Sequence, residues 1–378
     1  MKIILTCLLV TSATIAFSQN RQILYGMSDV PQSLMLNPGA KVPQQKHYGI
    51  PFLSQFHLSA GAKGVTAYDI FKDDGEDVNA KITRAIFQLS NTDYFTANQQ
   101  LEIISFGWRN KRGVYFSGGI YEEFDFITYF PRDLAILAWE GNRDYLDYPF
   151  DLGELNVTAD LLTVYHFGAN TQISDKLTIG ARAKVYSSMA SVSSTDNRGT
   201  FTTSFDDDGV NVYDQTIEDA YVKVQTSGVA SFSEKEGFGE MSKALIKRGV
   251  FGGNLGLGID LGVTYDISRQ VKATASVIDL GFIYHNKDVE TYRAEGDYNL
   301  NGIELIFPPL SEGNATIPYY DNLEEELERE IPIDTITKGY VRMRPLQTNV
   351  ALEYGFGSVF GGEVCDCTNK GSVADWAQ

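Results

Sequence analysis

From Leu155 to Val192 the chain alternates with a period of two over a length that few soluble strands reach. Every second residue gives Val157, Ala159, Leu161, Thr163, Tyr165, Phe167 and Ala169, an apolar face with an aromatic end. The intervening Thr158, Asp160, Leu162, Val164, His166, Gly168, Asn170 and Gln172 are mostly polar. After a short turn at Ser174, Asp175 and Lys176 the alternation resumes, with Leu177, Ile179, Ala181, Ala183 and Val185 set against Thr178, Gly180, Arg182, Lys184 and Tyr186. Successive side chains of a strand point to opposite faces, so the pattern predicts a long hairpin whose charged face carries Asp160, Arg182 and Lys184. A soluble sandwich would turn the apolar face inward; a membrane barrel would turn it to lipid. Each arm exceeds the roughly 5 to 6 residues of an ordinary strand and meets the roughly 9 to 11 needed to cross a bilayer at a tilt. The expected fold class is all-β, a transmembrane antiparallel β-barrel.

The same logic returns at Gly253 to Asp266. There Leu255, Leu257, Ile259, Leu261, Val263 and Tyr265 oppose Asn254, Gly256, Gly258, Asp260, Gly262 and Thr264. The turn Ile267 to Gln270 echoes Ile173 to Lys176, and the next strand carries Val271, Ala273, Ala275 and Val277. Two hairpins with equally tight turns predict both turns at one end, the periplasmic one in an outer-membrane barrel, with the longer connections at the other. Past Asp279 the apolar parity shifts to Ile278, Leu280, Phe282 and Tyr284, so a bulge is expected near Asp279. Further strands are expected at His47 to Ala62, Gln100 to Arg109, Val114 to Tyr129, Ala220 to Phe232 and Leu346 to Phe356. Short helices are expected at Val78 to Leu89, after Pro131 and near Glu240 to Arg248. Ser193 to Gly209 reads as a polar connection. Leu300 to Pro309 and Tyr319 to Ile331 read as a long excursion, with Glu324, Glu325, Glu326, Glu328 and Glu330 on an exposed acidic helix.

The start of the chain sets the compartment. Lys2, the apolar run Ile3 to Val10 and the small residues ending at Ala16, Phe17 and Ser18 form a secretory leader over residues 1–18, too short for a spanning helix. Residues 19–45 follow with little alternation, two prolines and the turn Asn37, Pro38, Gly39, which argue against a spanning strand. This apolar segment is expected to fold back as a hatch or plug, with residues 46–378 forming the barrel. The net charge is -18, and loss of Lys2 with the leader makes it one unit more negative. No basic stripe exists to neutralise phosphates, so nucleic-acid binding is excluded. A mean hydropathy of -0.17 suits a barrel, in which lipid-facing and inward-facing residues cancel.

Specific runs carry a resemblance. Gln32 to Ser54 (QSLMLNPGAKVPQQKHYGIPFLS), Tyr165 to Gly168, Gly199 to Thr203, Gly252 to Gly258, Asp279 to Phe282 and Ile331 to Asp334 together resemble an uncharacterised family of outer-membrane barrel proteins of Gram-negative bacteria, a domain of unknown function. The Asn-Pro-small motif ahead of the first strand is, more distantly, similar to the N-terminal hatch of the long-chain fatty-acid channel family. That resemblance implies a hatch inside a barrel of about 14 strands when complete. About 10 to 12 strands are counted here, and the polar ending at Ala374 to Gln378 leads to the expectation that the last strands are missing from this chain.

The chemistry is sparse. No Gly-x-Ser-x-Gly elbow occurs, and Gly253, Gly256, Gly258 and Gly262 lack dinucleotide spacing. Asp206, Asp208 and Gly209 fail the EF-hand pattern, because Ser204 and Gln215 stand at its end positions. Loose calcium binding by Asp73 to Asp77 or Asp206 to Asp208 competes with plain solvation of these acids. Cys365 and Cys367 have no neighbouring histidine and form no metal set, so no cofactor and no metal are expected. An enzyme is not expected, for want of a nucleophile and base constellation. The candidate site is the lumen: Asp160, His166, Arg182, Lys184 and Asp260 as lining residues, with Arg182 and Lys184 available to balance Asp160, and Asn37, Pro38 and Gly39 as the hatch motif. The expected function is a plugged channel or transporter for small solutes in the cell outer membrane, in contact with outer-membrane lipid. The alternative is a non-transporting accessory or scaffold barrel that docks other outer-membrane or secretion proteins.

Overall fold

The computed structural model describes residues 21–27, 30–205, 213–233, 237–300 and 329–355. The expected leader over residues 1–18, Asp206 to Asp208, the acidic excursion up to Glu328, Phe356, Cys365 and Cys367 lie outside them. Antiparallel strands dominate, joined in one sheet of fifteen strands. In chain order they are β1 (Lys46–Tyr48), β2 (Phe56–Lys63), β3 (Tyr94–Arg109), β4 (Tyr115–Tyr129), β5 (Phe150–Asp151), β6 (Asn156–Ser174), β7 (Leu177–Ser194), β8 (Arg198–Phe205), β9 (Tyr213–Ser227), β10 (Asn254–Asp266), β11 (Val271–His285), β12 (Val289–Leu300), β13 (Ile333–Ile336), β14 (Tyr340–Met343) and β15 (Gln347–Tyr354). The helices are α1 (Ala67–Phe71), α2 (Val78–Gln88), α3 (Arg132–Glu140), α4 (Ala230–Ser233) and α5 (Phe238–Lys247).

The wall runs β3, β4, β6, β7, β10, β11, with β1 and β2 both on the outer edge of β3 and with β14 and β15 both on the far edge of β11. The upper end of β7 instead pairs with β9, which continues to β12 and β8. The sheet is not closed, since no ladder joins β2 to β15 among the described residues. It nevertheless curls, because Arg344, next to β14, reaches Glu123 and Asp125 on β4, and Arg342 on β14 reaches Asp160 on β6.

The two long hairpins form as the alternation predicts, and their turns lie together: the Asp266 N–H donates to Lys176 O at 2.8 Å. The turn of β3 and β4 at Asn110 to Val114 sits at the same end, since Tyr115 pairs with Asn170 near the end of β6. The helices α1 to α5 and the β8 and β9 hairpin belong to the opposite end. The expected bulge falls on Asp279, where the β10 and β11 register shifts and the backbone takes φ +62°. Both Ile278 and Asp279 thereby point inward and are buried.

Several expectations are corrected. The strand expected at His47 to Ala62 is two short strands, because Pro51 and the left-handed Phe52 (φ 62°) break the ladder. Ser193 to Gly209 is no plain connection: Arg198–Phe205 pairs with β9, its polar composition hiding the strand. The extended stretch at Ala220 begins earlier, at Tyr213, and gives way to α4 at Ala230. Strands β12, β13 and β14 were not expected; β13 and β14 have four residues each, too few to show a period.

The wall's polarity is the reverse of a soluble sheet. On β10 the exposed residues are Leu255, Leu257, Ile259, Leu261 and Tyr265, while Asn254, Asp260 and Thr264 are fully buried. Val341, Met343, Val350, Leu352 and Tyr354 continue the exposed apolar face on β14 and β15. No helix among the described residues is long and apolar enough to cross a membrane, which says nothing about strands.

Candidate functional site

The interior is filled by two layers. The first is the N-terminal segment. A 3-10 turn at Pro31–Met35 leads into Leu36 to Val42, and Ser33 to Ala40 are all buried. Asn37 shapes this segment from within, its side-chain oxygen accepting the Gly39 N–H at 2.9 Å, an Asx turn. The wall then satisfies the freed backbone carbonyls. Asn170 donates to Pro38 O (2.7 Å) and Ala40 O (2.8 Å), Ser276 to Leu36 O (2.6 Å) and Arg182 to Met35 O (2.9 Å), while Arg109 holds Val42 O. Lys41 pairs with Asp266 at the turn end. Buried irregular backbone is stable only when its polar groups find such partners.

Glycine makes the seat possible. A Cβ at Gly180 would stand 1.9 Å from Pro38 O, and one at Gly262 would stand 2.1 Å from Asn37 Oδ1. Only a strand lacking side chains at both positions lets the hatch lie directly on the β7 and β10 backbone.

The second layer is a buried ion network. Arg182 on β7 faces Asp260 on β10 as its cross-strand neighbour, with Nε at 2.7 Å from Oδ2. Lys184 bridges Asp260 (3.0 Å) and Asp279 (2.5 Å), and the Tyr186 hydroxyl donates to Asp279 at 2.9 Å. The Asp279 N–H, freed by the bulge, donates to Asp260 Oδ1 at 2.7 Å. Arg344 lies 5.5 Å from the Tyr186 ring centroid and 3.2 Å from both Glu123 and Asp125. Charges removed from water are tolerated because they are paired and hydrogen-bonded, and removing one partner leaves the other stranded.

All five predicted lining residues lie on the inner face, but they do not form one cluster. Arg182, Lys184 and Asp260 belong to the network. Asp160 does not meet Arg182 or Lys184: Gly168 is the β6 neighbour of Arg182, and Asp160 sits about 27 Å farther along the strand, where Arg342 takes it. His166 packs on Tyr121 with ring centroids 5.7 Å apart, and neither ring nitrogen has a partner. The hatch motif is where its turn chemistry places it, under Asn170 and over Gly180 and Gly262. Asp279, Glu123, Asp125, Arg342 and Arg344 were not among the predicted residues. Along Tyr340 to Arg344, Val341 and Met343 face outward and Arg342 and Arg344 inward, an alternation too short to be recognised before the strand is known.

A family model described as a family of unknown function, DUF5723, matches residues 38–374. The chain belongs to this family. No characterised protein and no solved structure matches it, so the comparisons show no link to the long-chain fatty-acid channels. Family membership spans the hatch motif from Pro38 onward, the network and the whole described wall.

Proposed function

We propose that this chain is a secreted outer-membrane β-barrel whose lumen is plugged by its own N-terminal hatch, a gated channel or transporter for small solutes rather than an enzyme. The reversed polarity of the wall carries the reading. Leucine, isoleucine and tyrosine face outward from Leu255 to Tyr265, a run of strand that spans roughly 25 Å when tilted by 35 to 45°. That is about the height of a lipid-facing apolar band. In water such a surface would drive aggregation, and in lipid it needs no covering. The hatch supports plugging, because hydrogen bonds to its backbone carbonyls from Asn170, Ser276, Arg182 and Arg109 and the peripheral pair of Lys41 with Asp266 fix it in the interior.

Two measurements test this. Cysteine at Leu257 should react only with lipid-phase reagents, and cysteine at Arg182 only with aqueous ones once the hatch is removed; the reverse pattern would return the chain to a soluble sandwich. Deleting residues 22–45 should raise conductance in planar bilayers, and a silent barrel after deletion counts against transport.

One observation favours a second reading, an accessory scaffold barrel. The interior is closed twice, by the hatch and by the ion network, while the end opposite the tight turns presents α1 to α5 as a folded surface. Stoichiometric capture of other outer-membrane or secretion proteins from native membrane, with no conductance after hatch deletion, would support it.

A further inference from the structure

The hatch and the ion network leave a recess between them and the two edges of the sheet. Its volume is about 440 Å³, within the roughly 300 to 1,000 Å³ of small-molecule sites. Ser59 on β2, Asn98 on β3, Asp125 on β4 and Asn349 on β15 line it, and Leu36 of the hatch forms one wall. Register brings three of them together: Ser59 pairs with Asn98 and Asn98 with Asp125, so their side chains share the inner face of adjacent strands. Of the ten lining residues, Leu36 alone lacks a polar side-chain group.

The recess offers hydrogen bonds rather than spare charge. Arg344 holds Glu123 and Asp125 at 3.2 Å each, and Asn98 donates to Asp125 at 2.7 Å. Among the described residues no lysine or arginine lines it, so an anion entering would meet two carboxylates with no free cation. An acyl chain would cut the same polar groups off from water without replacing its hydrogen bonds. Bonding capacity remains for another kind of guest. The Asn98 and Asn349 amides each make one donation to protein, to Asp125 and to Ser276 Oγ (3.2 Å), of the two that an amide can make. Gln100 lies between His57 and Glu123 in the sheet, both of them lining residues, and is 2% exposed with neither amide atom partnered. A buried amide in that state points to a missing polar partner.

We infer that the recess binds an uncharged, hydroxyl-rich solute of about sugar size through Ser59, Asn98, Asp125 and Asn349. The inference rests on the proposed reading of a solute-handling barrel and gives that solute a class. Hydroxyl groups donate and accept at once, which suits carboxylate oxygens set beside amide N–H groups. The solute would also touch the hatch, because the Ser276 hydroxyl that accepts from Asn349 donates to Leu36 O at 2.6 Å.

The test uses the full chain with Ser59→Cys, purified in detergent and labelled by a neutral or an anionic methanethiosulfonate, each rate taken relative to free cysteine. The neutral reagent should react at least about tenfold faster, since the anion approaches two carboxylates. At least one of glucose, N-acetylglucosamine and sorbitol should protect the thiol from the neutral reagent in a saturable way, whereas gluconate and 1-hexanol should not. Asn98→Leu and Asn349→Leu, each added to the cysteine chain, should weaken that protection about fivefold, and either variant decides if the other does not fold. No protection by any of the three neutral probes, equal protection by gluconate or hexanol, or protection unchanged by the variants overturns the inference. Protection in a barrel that stays silent after hatch deletion would keep the site and sink the channel; conductance without protection would keep the channel and sink the site.

Discussion

The wall and the layer of connections above it obey opposite solvent rules. In the wall, Leu257 is 58% exposed while Asp260, three residues on, is fully buried among other charges. Part of the connecting layer keeps the ordinary order. Phe150 is fully buried against the rings of Tyr145, Tyr148 and Phe201, Ile136 of α3 is buried, and the Asp74, Glu76 and Arg84 charges lie at the surface. Trp139 on α3 donates to Thr83 on α2 at 2.9 Å, tying two helices as a soluble domain would. In the proposed barrel, the level at which the rule reverses is where lipid gives way to water.

Breaking the wall's interior should have the largest effect. Asp260→Leu strands Arg182 and leaves Lys184 with Asp279 alone, so a loss of about 3–5 kcal/mol is expected from unfolding in detergent. The outer face comes next. Leu257→Arg should cost about 2–4 kcal/mol if it meets the middle of a bilayer. The same change at Val78, exposed on α2, should fall within about 0.5 kcal/mol of zero. Equal costs at the two positions would erase the contrast between wall and connecting layer.

A smaller effect is expected at the seat. Gly180→Val drives a side chain into Pro38 O and should cost about 1–3 kcal/mol while lifting the hatch, read as new protease cleavage within residues 22–45 of a barrel otherwise intact. The smallest effect belongs to the connecting layer. Lys81 and Lys72 hold the Asp74 carboxyl well below the usual carboxylate range, and Arg84 lowers Glu76. With the folded values depressed, this support is fully present above the unfolded pKa and is lost as pH falls through the folded ones. Amide exchange in α2 should therefore quicken below about pH 4, with the wall unchanged, and Asp74→Asn should remove much of that dependence.

Legibility followed the range of the signal. The two hairpins, their tight turns, the bulge at Asp279 and the helices after Asp77 and Pro131 were all readable, because each is encoded within about a dozen residues as a period, a parity change or a cap. Asp77 accepts the N–H groups of Asn79 and Ala80 at the start of α2. Strands β8 and β12 to β14 escaped notice. Their polar composition or short length leaves stability to pairing with β9, β11 and, for β13, β12 rather than to their own pattern.

The candidate site divides the same way. Local alternation by itself determined that Asp160, His166, Arg182, Lys184 and Asp260 share the face opposite the leucines, and Asn37 with Gly39 dictated a turn. Only the tertiary structure decided who meets whom: Asp160 with Arg342, Lys184 with Asp279, Asn170 with the hatch carbonyls, and Gly180 and Gly262 beneath Asn37 and Pro38. The physical reason is that a period of two specifies a side, whereas the partner across the interior depends on the register and curl of the whole sheet. Those are set by the sum of many strand pairings, and no single stretch of sequence contains them.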